Sequence, residues 1–171
     1  MILPAGRNVV MADTSAVLAG YHQADPDHKA ARDVLDAAPT LIMSPLVLAE
    51  LDHLGRERMG YRAAMSMLDE LQQKMAQGRL VVPELTSLDI ERAQKIRKHY
   101  ADLMLDLADA TTVVLSATWQ TTYVFTLDKR DFLALRPLGP HNSHFTLLPV
   151  GIRARTPSTQ RQPRRPRRPR R

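Results

Sequence analysis

The rhythm of apolar and polar positions lays out an alternation of strands and helices. Residues 9–13, Val-Val-Met-Ala-Asp, are apolar without interruption until the aspartate, which predicts a strand buried on both faces. A helix follows near Ala16, with Asp13 or Ser15 as its cap. Asp25-Pro26-Asp27 predicts the start of a second helix, running through Ala38, with acids at its positive end. Thr40–Met43 is a second strand. Ser44-Pro45 sets a cap and a first-turn proline for a helix to about Arg58. Gly60 breaks it, 61–77 is helical again, and Gly78 ends that stretch. Arg79–Val82 is a third strand, Thr86–Tyr100 a helix, and Asp106 to about Gln120 another. Tyr123–Thr126 is a fourth strand running on to Asp128, and Phe145–Leu148 a short fifth. Strands that alternate with helices predict an α/β fold, a three-layer α/β/α sandwich around a mostly parallel sheet of four to five strands.

Composition agrees with one folded unit and sets a tail apart. Hydrophobic residues make up 44% of 171, a globular value. No apolar run is long enough to span a membrane. No basic stretch leads into an apolar one at the start, so cytoplasm is the expected compartment. Cysteine is absent, which excludes disulfides and thiolate metal sites. The formal charge of +6 is unevenly spread. Nine of the 24 Lys+Arg fall in residues 153–171, with none of the 18 Asp+Glu, so the other 152 residues carry a net of −3. We therefore expect a folded, mildly acidic domain over 1–152. Residues 153–171 are expected to form a disordered Arg/Pro-rich tail, which either contacts nucleic acid phosphates or only aids solubility.

Four acids sit in places that plain structure explains poorly. Asp13 and Asp128 end apolar strands. Glu50, in Leu46-Val47-Leu48-Ala49-Glu50-Leu51, falls at helical spacing among Leu46, Val47 and Leu54. Asp109 lies among Leu105, Thr112 and Val113 at the same spacing, while Asp106 three residues earlier reads as the cap of that helix. Each has a plainer reading: Glu50 could pair with Arg56, Arg58 or a distant lysine, and Asp128 could serve a turn before Lys129. If the first and fourth strands are neighbours, however, all four acids meet at one sheet edge. Crowded carboxylates need a cation, and oxygen-only ligands select Mg²⁺ or Mn²⁺. That combination suits metal-dependent phosphodiester hydrolysis.

Asp13-Thr14-Ser15, the Ser44…Glu50 helix, Leu107-Ala108-Asp109-Ala110 and Thr126-Leu127-Asp128-Lys129-Arg130-Asp131-Phe132 resemble the motifs of PIN-domain ribonucleases. Within that superfamily they are most similar to the VapC toxins of bacterial toxin–antitoxin pairs, over about residues 8–150. The resemblance implies an endoribonuclease that cuts RNA, often tRNA or ribosomal RNA, and is restrained by a VapB-type antitoxin. It implies Asp13, Glu50, Asp109 and Asp128 as the acids that bind Mg²⁺ or Mn²⁺, with Asp106 as an additional acid near the metal. Thr14, Ser15 and Thr126 match supporting hydroxyl positions, and a homodimer is the common assembly. Asp131 is expected to be structural, capping a short helix with Phe132 in the core, or to stand one step behind the metal-binding acids. Lys129, Arg130 and Arg56 are the basic residues expected to hold RNA. The tail lies outside the resemblance.

Two other classes stay open on the sequence: a PIN-fold nuclease in RNA processing or acting on DNA, outside toxin–antitoxin systems, and a nucleic-acid-binding module without turnover. The presence of all four acids speaks against the second. His141 and His144 read as a solvated loop, Ser15 and Ser44 lack a His/Asp partner pattern for nucleophilic catalysis, and Met59, Met65, Met67 and Met75 read as core or dimer surface.

Overall fold

The computed structural model describes residues 9–139 and 144–150. The strands are β1 (Val9–Ala12), β2 (Thr40–Met43), β3 (Leu80–Val81), β4 (Tyr123–Phe125) and β5 (Thr146–Leu148). The helices are α1 (Thr14–Tyr21), α2 (His28–Ala37), α3 (Pro45–Met59), α4 (Tyr61–Ala76), α5 (Ser87–His99), α6 (Leu107–Thr118) and α7 (Lys129–Ala134). A short 3₁₀ turn, Ala101–Leu103, separates α5 from α6.

The five strands form one sheet in the order β3-β2-β1-β4-β5, and every pairing is parallel. Side chains alternate across it. Val10, Ala12, Leu41, Met43 and Phe125 pack under α1–α4, whereas Met11, Ile42 and Val124 pack under α5–α7. Helices therefore cover both faces, which is why the strands carry no polar alternation. Chain order runs outward from β1 through β2 to β3, then returns to place β4 on the other side of β1. This reversal opens a crevice beyond the carboxyl ends of β1 and β4, where ligands of open α/β sheets bind.

Most predicted elements are present, with shifts at their ends. The second helix begins at His28, not Asp25, because the Asp27 N–H bonds to the Asp25 carboxylate and makes a turn around Pro26. Asp13 leaves the strand to cap α1, although its N–H still bonds to Phe125 O. Asp131 does not cap a helix. α7 starts two residues earlier, Asp128 takes the cap position, and Asp131 lies in the first turn with an ion pair to Arg130 at 3.1 Å. Phe132 is buried as expected, edge-on to Phe145. Of the four methionines, Met67 is buried, Met59 and Met75 are half-buried and Met65 is exposed. His141 and the tail over 153–171 lie outside the described residues, and His144 is exposed.

Candidate active site

Asp13 is the anchor. It is 5% exposed, directly after β1, and its Oδ2 accepts three hydrogen bonds, from Ser15 N (3.3 Å), Ser15 Oγ (2.6 Å) and Thr126 Oγ1 (2.8 Å). Both hydroxyls are also acceptors. Leu127 N donates to Ser15 Oγ, and Asp128 N donates to Thr126 Oγ1, each at 2.9 Å. The two hydroxyls thus join the loop after β4 to the cap of α1, which sets Asp128 beside Asp13. Oδ1 of Asp13 takes none of these bonds.

Glu50 projects from α3 toward the same point, and Thr14 Oγ1 donates to its Oε2 at 2.7 Å. Asp109 comes from the first turn of α6, a helix capped by Asp106, whose Oδ1 accepts from Asp109 N at 2.8 Å. α3 and α6 are held in register by a buried contact. Ser44 Oγ caps α3 by accepting from Leu46 N, and Thr111 donates its own hydroxyl to Ala108 O. The Ser44 hydroxyl is therefore the donor in the 2.9 Å bond to Thr111 Oγ1. Nothing in the sequence pointed to this link between the two acid-bearing helices. Ser44→Ala should lower stability by about 1–2 kcal/mol, the worth of a cap plus a buried hydrogen bond, read by urea denaturation.

Asp13, Glu50, Asp106, Asp109 and Asp128 all line one open cleft of about 150 Å³, with Thr14, Ser15, Leu18, Leu54 and Arg58. Among the described residues, no ion pair ties any of the five acids to a base. The cost shows in their proton affinities. Burial pushes the Asp109 carboxyl up to about 9, and the negative charges of Asp13, Asp106, Asp128 and Asp131 add to it. Burial raises Asp13 too, with Glu50 adding, against the opposing hydrogen bonds from Ser15 and Thr126. Asp128 is raised by burial and then by Asp131.

A divalent cation fits this donor set. All the donors are hard oxygens, and the carboxylates lack the countercharge that a cation would supply. Among the described residues, no three His, Asp or Glu side chains stand close enough to enclose an ion. An open arrangement suits Mg²⁺, which keeps several waters and takes one or two carboxylates.

The basic residues fall differently from expectation. Arg56 pairs with Asp52 and Arg130 with Asp131, and neither they nor Lys129 line the cleft. Arg58 lines it instead. Helical spacing could have revealed this, since Glu50, Leu54 and Arg58 follow at intervals of four residues on α3.

Comparison with known proteins gives a consistent result. Residues 10–136 match the PIN domain family. The chain is 41% identical over 138 residues to Ribonuclease VapC26 of Mycobacterium tuberculosis, covering 80% of this chain and 98% of that protein. Its fold resembles the crystal structure of VapC20 of the same organism, described as a sarcin–ricin loop cleaving toxin. The TM-score is 0.60 at 20% identity, covering 68% of this chain and 88% of that one. It also resembles VapBC2 of Rickettsia felis bound to a DNA fragment from its promoter, with a TM-score of 0.50 at 16% identity, covering 72% and 90%.

Proposed function

The chain belongs to the PIN-domain family as a VapC-type ribonuclease, and we propose that it cuts RNA in the carboxylate cleft with Mg²⁺ or Mn²⁺, as the toxin of a pair whose antitoxin is VapB-like. The observation that carries this reading is the convergence of five uncompensated carboxylates at the β1/β4 reversal of the sheet. Asp13, Glu50, Asp109 and Asp128 would supply the negative charge that holds the metal, one or two of them as direct ligands and the others through its waters, with Asp106 at the rim. When bound, the cation lowers the pKa of a water and offsets charge on the phosphate.

The chain's own residues position and orient. Ser15 and Thr126 occupy Oδ2 of Asp13 and so leave its other oxygen for the cleft that Asp13 lines. Thr14 does the same for Glu50, using Oε2. Such partners of ligating carboxylates are worth about 10–100-fold in metal affinity or activity. Thr14→Val, which keeps the shape and removes the donor, should therefore raise the Mn²⁺ concentration for half-maximal cleavage about tenfold. A metal titration of the initial rate reads this directly.

The substrate is cellular RNA, with tRNA or ribosomal RNA as the expected targets, and a homodimer is the expected assembly. The deciding experiment incubates purified protein with total cellular RNA in Mg²⁺, in Mn²⁺ and in EDTA. Discrete fragments that appear only with metal support the reading and identify the target by their ends. No cutting under any metal, from protein shown to be folded, overturns it.

A further inference from the structure

We propose that Arg58 binds an RNA phosphate next to the one being cut, so that the strand lies along α3; this rests on the ribonuclease reading above. The geometry is a graded stripe. Glu50, Leu54 and Arg58 succeed one another on one helix face, and all three line the cleft. The helix rise separates Glu50 from Arg58 by about 12 Å along the axis. An acid at one end holds the metal side of the site. Leu54, with Leu18 of α1 beside it, offers an apolar wall to a ribose or base. Arg58 offers a guanidinium at the far end.

Most arginines of the domain are engaged, and Arg62, which like Arg58 shows no ion pair among the described residues, lies outside the cleft. Arg56 is bound to Asp52, Arg130 to Asp131 and Arg32 to Asp36 and Glu70. Arg79 is spent on the carbonyls that end α2, and Arg97 on Leu105 O. Arg58 makes no ion pair or side-chain hydrogen bond among the described residues, although it borders a cleft of five carboxylates. Two turns of helix separate it from Glu50, and no ion pair among the described residues ties it to the other four, so its donors are available to a ligand. A cleft this acidic repels the RNA backbone wherever no cation offsets it. A planar fork of donors matches phosphate oxygens, and such a contact positions the strand without reading its bases.

The test uses the full-length protein. Arg58→Ala, Arg58→Lys and Arg58→Glu are compared with Arg62→Ala, which removes the same charge from the exposed start of α4 outside the cleft. Binding of a labelled single-stranded RNA is measured in the cleavage-deficient Asp13→Asn background, and cleavage in the wild-type background. Arg58→Ala should weaken binding about tenfold and reduce the slope of log K against log salt by about 0.7, the value for one phosphate contact on a single strand. KM should rise with kcat nearly unchanged, Arg58→Lys should recover part of the loss, Arg58→Glu should lose more, and fragment ends should stay the same. Equal binding and salt slope in Arg58→Ala and the parent overturns the proposal, as does an equal loss in Arg62→Ala, which would mark a diffuse field. Those results leave the ribonuclease reading standing if the wild type still cuts. A wild type that neither binds nor cuts RNA overturns that reading itself.

Discussion

Asp13→Asn is expected to abolish RNA cleavage while leaving the protein folded. Asp13 is the most deeply buried acid of the cleft, and three hydrogen bonds on one oxygen fix its direction. Asparagine has the same shape, and its carbonyl oxygen can keep the bonds from Ser15 and Thr126. What it loses is the charge. Partners one step removed from a metal cost about 10–100-fold, so loss of a direct ligand should exceed a hundredfold. Metal affinity should fall with it, since calorimetric Mn²⁺ binding reads the same change without turnover. The circular dichroism spectrum should match that of the parent, and the thermal midpoint of the metal-free variant should be equal or higher. Cleavage at the parent's rate would remove Asp13, and with it the whole cleft, from the chemistry.

Asp109→Asn should make the metal-free protein more stable at neutral pH, and the gain should depend on pH in a defined direction. The folded-state carboxyl is raised by burial and by its acidic neighbours to about 9, against 3.8 for the free group. Below the lower value both states carry the proton, and the group contributes nothing to the pH dependence. Between the two values the unfolded chain loses its proton while the folded chain keeps it. The unfolded state then binds fewer protons, so stability falls as pH rises, by up to about 1.4 kcal/mol per unit. Above about 9 the loss is complete. Urea denaturation in chelator at about pH 5 and about pH 8 should show wild type losing stability on this account and Asp109→Asn largely spared. Added Mg²⁺ should restore the wild type and do little for the variant, because a ligand that binds only the folded state stabilises it by mass action. Equal pH profiles for the two proteins would refute the placement of Asp109 in an uncompensated acid cluster.

Both expectations come from one property of the fold, an arrangement of charge that is costly until a cation arrives. The hydroxyls around it are fully used in holding that arrangement. Ser15 and Thr126 each donate to Asp13 and accept from the backbone that leads to Asp128. Small side chains in two separate segments thereby behave as one support for the site.

The sequence by itself determined the alternation of elements and the identity of the candidate acids. Short apolar runs rich in β-branched residues and bounded by turn signals read as strands covered on both faces, and Ser44-Pro45, Gly60 and Gly78 mark element boundaries through local backbone preferences. Acids at strand ends and on apolar helix faces stood out because burial of an unpaired carboxylate is costly wherever it occurs. Other matters were decided by the tertiary structure. The start of α2 depended on a turn around Pro26, and the cap of α7 fell to Asp128 and not Asp131, since caps depend on where the preceding strand ends. The bond from Ser44 to Thr111 joins residues 67 positions apart, and no local pattern encodes it. The basic residue that faces the cleft is an intermediate case. The four-residue spacing of Glu50, Leu54 and Arg58 puts Arg58 on the acid's face of α3, but only the structure shows that neighbouring acids claim Arg56 and Arg130. Composition and spacing govern what a residue can do locally. Which partners reach it is settled by the β1/β4 reversal of the sheet, because only packing brings distant segments within the few ångströms over which hydrogen bonds and ion pairs act.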